Sequence, residues 1–379
     1  METKLLNGNN KEAIAEASKI LQDGGLVAFP TETVYGLGAD ALNADAAAKI
    51  YAAKGRPSDN PLIVHIADTD AVEKLADLET MNRTHPDMVK KAHMLMEAFW
   101  PGPLTIIFPK LAFVPDGTTG GLPTVAIRMP SHPIAQELIR TSGVSIAAPS
   151  ANTSGRPSPT TAQHVWEDMD GRIEMILDGG AVGIGIESTI VDMTGTIPTI
   201  LRPGFITKTM LSEIVGDVTI DPAIIEPDPN LRPKAPGMKY THYAPHGTLS
   251  IVEAVADESA NRASLHSGVK VSYNATEAET LRVAEKIKAL VNEKEAQGYK
   301  VAILTTKEHA SLYKNYSHVL IVGEGSKGQT ISARLYAALR ECDSEQMEYM
   351  YSEAFDQNEL GGAIMNRLLK AAGHRVITV

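Results

Sequence analysis

A lysine and an arginine two positions apart, Lys54 and Arg56, are the residues of this 379-residue chain whose types and spacing suggest chemistry most directly. They belong to the run Lys54-Gly-Arg-Pro-Ser-Asp-Asn-Pro-Leu-Ile-Val-His65, which follows a predicted helix, so both are expected to project from a loop. A lysine offers phosphate oxygens a point charge, and an arginine offers them a planar fork. The pair predicts contact with a phosphate-bearing ligand, although cations that complement a helix C-terminus show the same pattern.

Two further polar clusters stand at the ends of predicted strands. In Ala147-Ala-Pro-Ser-Ala-Asn-Thr-Ser-Gly-Arg-Pro-Ser158, small residues would let a ligand approach the backbone, and Ser150 and Asn152 can donate to phosphate or sugar oxygens. The same composition also forms turns that bind nothing. In Gly183-Ile-Gly-Ile-Glu-Ser-Thr-Ile190, Ser188 lies in an apolar run, and Arg202 follows soon after. Because buried polar groups need partners, Ser188 and Arg202 either satisfy their neighbours or face a ligand.

Several other kinds of site are excluded. The single cysteine, Cys342, rules out disulfides within the chain and cysteine-based zinc or iron–sulfur sites. Neither a Gly-x-Ser-x-Gly nucleophile elbow nor a Walker A loop is present. The formal net charge of −11 argues against a general nucleic-acid coat but leaves room for one basic pocket. Cations combined with hydroxyls suit an anionic, phosphate-bearing small molecule.

The elements that must position these residues alternate between helix and strand. Amphipathic or alanine-rich stretches predict helices at 11–22, 44–54, 88–99 and 132–140. Short apolar runs predict strands at 26–30, 62–66, 104–108, 125–128, 144–148 and 186–192, and 31–38 is expected to be a loop. The alternation predicts an α/β layer structure with some antiparallel pairs.

A proline-rich stretch at 219–245 separates a second region. Its six prolines are incompatible with regular helix or a central strand and predict a semi-rigid linker. The linker also carries Tyr240 and Tyr243 beside a lysine and a histidine, which is more than a plain spacer needs. Residues 246–379 alternate again and predict a smaller α/β domain. There, Gly323-Glu-Gly-Ser-Lys-Gly328 fits the Gly-x-Gly-x-x-Gly dinucleotide pattern, but its charged residues favour a glycine-rich turn.

A series of motifs in the first two hundred residues resembles the YrdC/Sua5 family. The motifs are Pro30-Thr-Glu-Thr-Val-Tyr-Gly-Leu-Gly38, Lys54-x-Arg56-Pro57, Pro61-Leu-Ile-Val-His65, Ser150-x-Asn152 and Ile186-Glu-Ser-Thr189. The linker and the C-terminal region resemble the long Sua5 type. The resemblance implies a YrdC-like twisted open sheet with helices over 10–210, a linker and lid at 219–245, and a smaller Rossmann-like α/β Sua5 domain over 246–379.

The resemblance also implies the activity of a threonylcarbamoyl-AMP synthase, a nucleotidyltransferase. Such an enzyme condenses L-threonine, bicarbonate or CO2 and ATP to threonylcarbamoyl-AMP and pyrophosphate, and a downstream transferase complex uses the product to make t6A37 in tRNA. Mg2+ is expected to enter with ATP and to be held mostly by phosphates and water, because no carboxylate cage is evident. Without a signal peptide or an apolar span, the enzyme is expected to be cytoplasmic, with no stable membrane association.

Residue by residue, the resemblance implies two subsites. The amino acid would be held by Thr33, His65, Arg128, Ala148 and Ser188, with Arg128 pairing with its carboxylate. The nucleotide pocket would consist of Lys54, Arg56, Asn60, Thr124, Ser150, Asn152, Ser158 and Arg202. Lys54 and Arg56 would be the catalytic cations, and Tyr243 would close over the pocket as a lid, with Tyr240 the less favoured choice.

Two other functions fit part of the pattern. An RNA-binding, translation-associated module would use the same basic cleft, and its affinity would fall steeply with salt. Against it, Thr33, His65 and Ser188 are unusual contacts for a phosphate backbone. A carbamoyl-phosphate-using transferase also contains a YrdC fold, but the tyrosine-bearing linker and the missing zinc-finger cysteines argue against it. Any contact of this acidic chain with tRNA is expected to be weak.

Overall fold

The chain divides into two units in the computed structural model, which describes residues 2–224, 234–236, 243–254, 276–355 and 360–379. The first unit comprises Met1–Ser154 and Ser158–Tyr240, and the second comprises Gly155–Pro157 and Thr241–Val379. Within the described ranges, no helix is long and apolar enough to cross a lipid bilayer.

The first unit is built on a mixed sheet. Its strands are β1 (Lys4–Asn7), β2 (Val27–Phe29), β3 (Gly36–Asp40), β4 (Ile63–His65), β5 (Leu104–Pro109), β6 (Thr124–Arg128), β7 (Ile146–Ala148), β8 (Met175–Asp178), β9 (Thr189–Asp192), β10 (Thr199–Arg202) and β11 (Thr219–Ile220). They lie in the order β1-β8-β2-β3-β7-β4-β6-β5-β9-β10-β11. The sheet combines parallel pairs such as β4 with β6 and antiparallel pairs such as β5 with β6, as expected.

Helices cover both faces of this sheet. They are α1 (Lys11–Gln22), α2 (Ala44–Lys54), α3 (Leu78–Thr84), α4 (Pro86–Phe99), α5 (Asp116–Thr119), α6 (Pro133–Ser142), α7 (Ala162–Met169) and α8 (Lys208–Val215). One apolar cluster joins α1 and α6 to Val27 and Phe29, and a larger one joins α2, α4, α7 and α8 to the intervening Ala28. Because successive strand residues point to opposite faces, the two clusters lie on opposite sides of the sheet. The predicted α/β open sheet is confirmed.

Local sequence signals set the bounds of the first two helices. The side chain of Asn10 caps α1, and that of Asn43 caps α2 by accepting from the backbone N–H groups of Asp45 and Ala46. Helix α2 ends at Gly55, whose φ of 63° is left-handed and suits glycine. Both helices have the predicted bounds.

Two predicted elements were wrong. Residues 31–38 are not all loop, because β3 begins at Gly36 and pairs antiparallel with β2. Glycine has low strand propensity, so Gly38 made the strand difficult to predict. A Cβ at this position would lie 2.7 Å from the Ile146 side chain, so the close packing requires glycine. The predicted strand at 186–192 begins only at Thr189. The preceding Ser188 carbonyl accepts from the Arg202 side chain.

The described part of the proline-rich linker starts inside the first unit. Strand β11 pairs with β10 at the edge of the sheet, so 219–220 are not part of an irregular linker. Ala235 is fully buried in an apolar cluster with Ile63 and Leu201. Residues 225–233 and 237–242, with Tyr240 among them, lie outside the described residues.

The second unit contains a parallel sheet. Its strands are β12 (Thr248–Glu253), β13 (Val301–Thr305), β14 (Val319–Ile321), β15 (Tyr349–Glu353) and β16 (Val376–Thr378), and its helices are α9 (Glu277–Ala296), α10 (Gly328–Ser344) and α11 (Leu360–Ala371). The strand order is β14-β13-β15-β12-β16, and every pair is parallel. Parallel strands joined through helices give the Rossmann-like arrangement that was predicted.

The glycine-rich loop before α10 is engaged by the chain itself. The Gly325 N–H donates to the Glu308 carboxylate at 2.8 Å, and Glu324 forms ion pairs with Lys307 and Lys327. A backbone N–H that a phosphate would use therefore already binds a carboxylate. This arrangement agrees with the prediction of a glycine-rich turn.

Candidate active site

Three side chains of the predicted site region share one face of the first unit's sheet. His65 on β4 is in register with Arg128 on β6, and Arg128 is in register with Thr105 on β5. Residues in register on neighbouring strands project to the same side. The strands thus place an imidazole, a guanidinium and a hydroxyl side by side.

Arg128 is oriented by hydrogen bonds from two sides. It is 4% exposed, and it donates to the Glu32 carboxylate at 2.7 Å and to Thr33 Oγ1 at 3.0 Å. Glu32 also accepts from the Ser131 backbone N–H at 3.2 Å. A guanidinium held in this way keeps a fixed direction, and its five N–H donors leave capacity for a second carboxylate.

His65 is neutral in the folded protein. Burial, together with the nearby Arg128 charge, lowers the pKa of His65 to about 3. Its Nδ1 lies 3.1 Å from the Ile63 carbonyl oxygen. At physiological pH the ring can therefore offer hydrogen bonds to a ligand but not a positive charge.

Ser188 joins the two predicted subsites. Its hydroxyl lies 2.8 Å from Thr105 Oγ1 and accepts from the Arg202 guanidinium at 3.1 Å. The Ser188 carbonyl accepts from Arg202 Nε at 3.0 Å, and Arg202 also donates to the Pro236 carbonyl at 3.5 Å. The linker residue Pro236 thus contacts a residue predicted to bind the nucleotide.

Lys54 does not project from a loop, contrary to the prediction. It is the last residue of α2, is 3% exposed, and donates to the carbonyl oxygens of Ser150 and Asn152. The hydroxyl of Ser150 donates to Asn152 Oδ1 at 2.5 Å. Three residues predicted for the nucleotide pocket therefore contact each other, and the ammonium group fixes the loop after β7.

The other predicted nucleotide residues lie around these two groups. Arg56 donates to the Pro61 carbonyl at 3.2 Å. Asn60 has a buried Oδ1 with no hydrogen-bond partner among the described residues, which marks it as a candidate ligand contact. Ser158 is fully buried and donates to the Glu187 carboxylate at 2.6 Å. Thr124 begins β6.

Ala148 and Tyr243 complete the predicted set. Ala148 ends β7 and pairs with Ile63, two residues before His65, so it lies on the His65 face of the sheet. Tyr243 belongs to the second unit, where its ring stacks on Tyr336 at a centroid distance of 5.1 Å. Its role as a lid stays a prediction.

No group of three or more His, Cys, Asp or Glu side chains in the described ranges could hold a metal ion.

Comparisons with known proteins cover both regions. A family model described as "Telomere recombination", that of Sua5, YciO and YrdC, matches residues 19–204, and one described as "Threonylcarbamoyl-AMP synthase, C-terminal domain" matches residues 206–373. The threonylcarbamoyl-AMP synthase of Bacillus subtilis is 46% identical over 97% of this chain and 95% of its own length. That of Pyrococcus abyssi is 41% identical over 98% of each chain. This chain belongs to the threonylcarbamoyl-AMP synthase family.

Solved structures agree with this assignment. The crystal structure of Pyrococcus abyssi Sua5 complexed with L-threonine matches with a TM-score of 0.84 and 40% identity, over the full length of both chains. The predicted family, fold and synthase function are therefore confirmed. The individual site residues and the domain boundaries stay predictions.

Three residues of this synthase family member were missed as site components. Glu32 lies within a recognised motif, but its contact with Arg128 spans 96 positions and has no sequence signal. Glu187 lies within a motif of the family resemblance, and its carboxylate accepts from the Ser158 hydroxyl. Thr105 is a hydroxyl inside the apolar strand 104–108, which is the same signal that drew attention to Ser188.

Proposed function

We propose that this chain converts L-threonine, bicarbonate or CO2, and ATP to threonylcarbamoyl-AMP and pyrophosphate. The observation that carries the proposal is the pair of hydrogen bonds from Arg202 to Ser188, which joins the predicted amino-acid and nucleotide subsites. The synthase relatives that match nearly the whole chain support it, as does the threonine complex of the Pyrococcus abyssi protein.

The amino-acid subsite would hold threonine by its carboxylate. Arg128 is buried and held by Glu32 and Thr33, so it can form a charge-assisted pair without reorganising. His65 is neutral, so it adds no charge to repel the substrate ammonium group. The amine can then be placed for carboxylation while the carboxylate remains anchored.

The reaction requires two bond-forming steps and no covalent enzyme intermediate. The threonine ammonium group loses one proton, its nitrogen bonds to the carbon of CO2 as one C–O π bond opens, and loss of a second proton to solvent gives the carbamate. A carbamate oxygen then bonds to the α-phosphorus of ATP as the bond from that phosphorus to the bridging oxygen breaks, and pyrophosphate leaves. Positioning and cationic stabilisation of the phosphates are the main demands on the protein.

The nucleotide would lie along the loop that Lys54 fixes. Ser150, Asn152 and the buried amide of Asn60 are positioned to contact it, while Arg56 and Arg202 would complement its charge. We propose that Mg2+ enters as part of the MgATP substrate, coordinated by phosphates and water, because the described residues supply no carboxylate cage. Burial of the site would protect the labile carbamate from hydrolysis.

The cellular role follows from the product. A threonylcarbamoyl adenylate is an activated acyl donor, which a separate transferase complex would use to modify adenosine 37 of tRNA. We propose a cytoplasmic location. We also propose only weak contact with tRNA, since the chain carries a formal net charge of −11. The RNA-binding alternative loses support because Lys54, Arg128 and Arg202 are buried and already bonded within the protein.

Pyrophosphate release by the purified full-length chain tests this function. Threonine and bicarbonate are each supplied or withheld, in CO2-depleted buffer, with MgATP present throughout. We expect release only when both are supplied, and its loss in Arg128→Met but not in the surface variant Arg172→Lys. Release that needs neither substrate, or no release from folded protein, would contradict the proposal.

A further inference from the structure

The Thr105 hydroxyl lies in the middle of the first unit's sheet. Strand β5 is flanked by β6 on one side and β9 on the other, and Thr105 is fully buried. Its side chain has a single hydrogen-bond partner among the described residues, the Ser188 hydroxyl at 2.8 Å. A buried hydroxyl in a strand core is destabilising unless it is hydrogen-bonded, so Thr105 depends on its contact with Ser188.

The hydrogen-bond arrangement of the pair is restricted by Arg202. A hydroxyl has one proton and two acceptor sites. The Arg202 guanidinium donates to Ser188 Oγ at 3.1 Å and so occupies one acceptor site of Ser188. One proton of the Thr105–Ser188 pair is used between the two hydroxyls, and the other needs an acceptor.

Both side chains are fully buried, and Thr105 projects to the face of the sheet that also carries Arg128 and His65. Either hydroxyl can donate to the other. In both arrangements one proton of the pair remains for a ligand on that face, and the Thr105 contact fixes the position of the Ser188 oxygen beside Arg202.

We infer that Thr105 is a positioning residue of the amino-acid subsite, which holds the Ser188 hydroxyl in place for the substrate through their hydrogen bond. The inference rests on the proposed function, because that function places threonine at Ser188. It adds a second residue, Thr105, that acts on the substrate through Ser188. Arg128, in register with Thr105, would hold the amino acid on the same face.

A double-mutant cycle tests whether Thr105 acts through Ser188. Thr105→Val removes the hydroxyl and nearly preserves the shape, Thr105→Ser retains the hydroxyl, and Ser188→Ala removes the partner. We expect Thr105→Val to raise the KM for threonine about tenfold, with a smaller change in kcat and in the KM for ATP. Thr105→Ser should restore most of the affinity. In the Ser188→Ala background, Thr105→Val should change nothing further, because the group it positions is absent.

The matched control is Thr118→Val. Thr118 is also fully buried, and its hydroxyl donates to the Ala41 carbonyl at 2.7 Å. This variant loses a buried hydrogen bond away from the subsite, so its KM for threonine should equal that of the wild type. Thermal unfolding of all variants checks that each is folded under assay conditions.

The possible results separate this inference from the proposed function. An active wild type with an unchanged KM in folded Thr105→Val would overturn the role of Thr105 alone. Additive effects of Thr105→Val and Ser188→Ala would overturn it as well, because Thr105 would then act independently of Ser188. A wild-type chain that releases no pyrophosphate with all substrates present would instead contradict the proposed function.

Discussion

Arg202 holds Ser188 at two atoms, since Nε donates to the Ser188 carbonyl at 3.0 Å and a terminal nitrogen donates to its hydroxyl at 3.1 Å. The family resemblance assigns Arg202 to the nucleotide and Ser188 to threonine. The two subsites therefore share one rigid pair, which suits a reaction in which a group bound in one must attack a phosphorus bound in the other.

Replacement of Arg202 should weaken binding of both substrates. Arg202→Lys keeps the charge but cannot make two bonds in the same plane. We expect the KM for ATP and the KM for threonine to rise about tenfold each, in line with the loss of a charge-assisted hydrogen bond. Steady-state kinetics with each substrate varied in turn measures this, and Arg172→Lys is the surface control. A rise confined to ATP would show that the subsites are not coupled through Arg202.

Glu32 should stabilise the fold mainly by neutralising Arg128. Both side chains are largely buried, with 14% and 4% exposed. Glu32→Gln leaves a buried guanidinium without its counter-charge, so we expect the free energy of unfolding to fall by about 3 kcal/mol. Urea denaturation followed by circular dichroism measures the change. The exposed pair of Lys19 and Asp23 supplies the control, because Asp23→Asn should have little effect. Equal losses in the two variants would contradict a stabilising role for the buried pair.

Replacement of Lys54 should destabilise the fold more than replacement of Arg56. Lys54 donates to two backbone carbonyls of the loop after β7, and Lys54→Met removes this donor from both. We expect it to lower the free energy of unfolding by about 2–3 kcal/mol and to raise the KM for ATP, because the loop is displaced. For Arg56→Ala we expect a higher KM for ATP with a smaller loss of stability. Thermal unfolding beside ATP kinetics distinguishes them, and the reverse ranking in stability would count against the contacts of Lys54.

His65 should make the protein less stable as the pH falls. The unfolded chain takes up a proton at His65 near its ordinary pKa of 6.5, whereas the folded chain does so only near pH 3. Between these values the unfolded state binds more protons, so the free energy of unfolding decreases as the pH decreases. From pH 7 to pH 5 this group contributes a loss of about 2 kcal/mol. Denaturation of wild type and His65→Gln at both pH values measures it. The variant should lose less stability than the wild type, and parallel losses would show that His65 titrates normally.

The sequence predicted elements well where local signals suffice. Helix α2 followed from its alanines and from Gly55, and strand β5 from the apolar run at 104–108. It failed at β3, where glycine and alanine have low strand propensity and only packing against Ile146 reveals the strand.

Contacts within the site that join residues distant in the sequence could not be predicted from local patterns either. The family resemblance named Thr33 and Arg128 separately, but their hydrogen bond joins residues 95 positions apart. Lys54 was expected to project from a loop because it stands at the end of a predicted helix, but its long side chain reaches carbonyls of a distant loop. Contacts of this kind depend on strand order, which short-range patterns do not encode.

Analysis of the product with 13C-labelled bicarbonate tests the central claim most directly. The full-length chain is incubated with L-threonine, MgATP and labelled bicarbonate, and the reaction is quenched and examined at once by mass spectrometry. We predict an adenylate that contains threonine and one labelled carbon, formed together with pyrophosphate. An adenylate of threonine without the label would contradict it, since the carboxylate itself would then have attacked ATP and no carbamate would have formed.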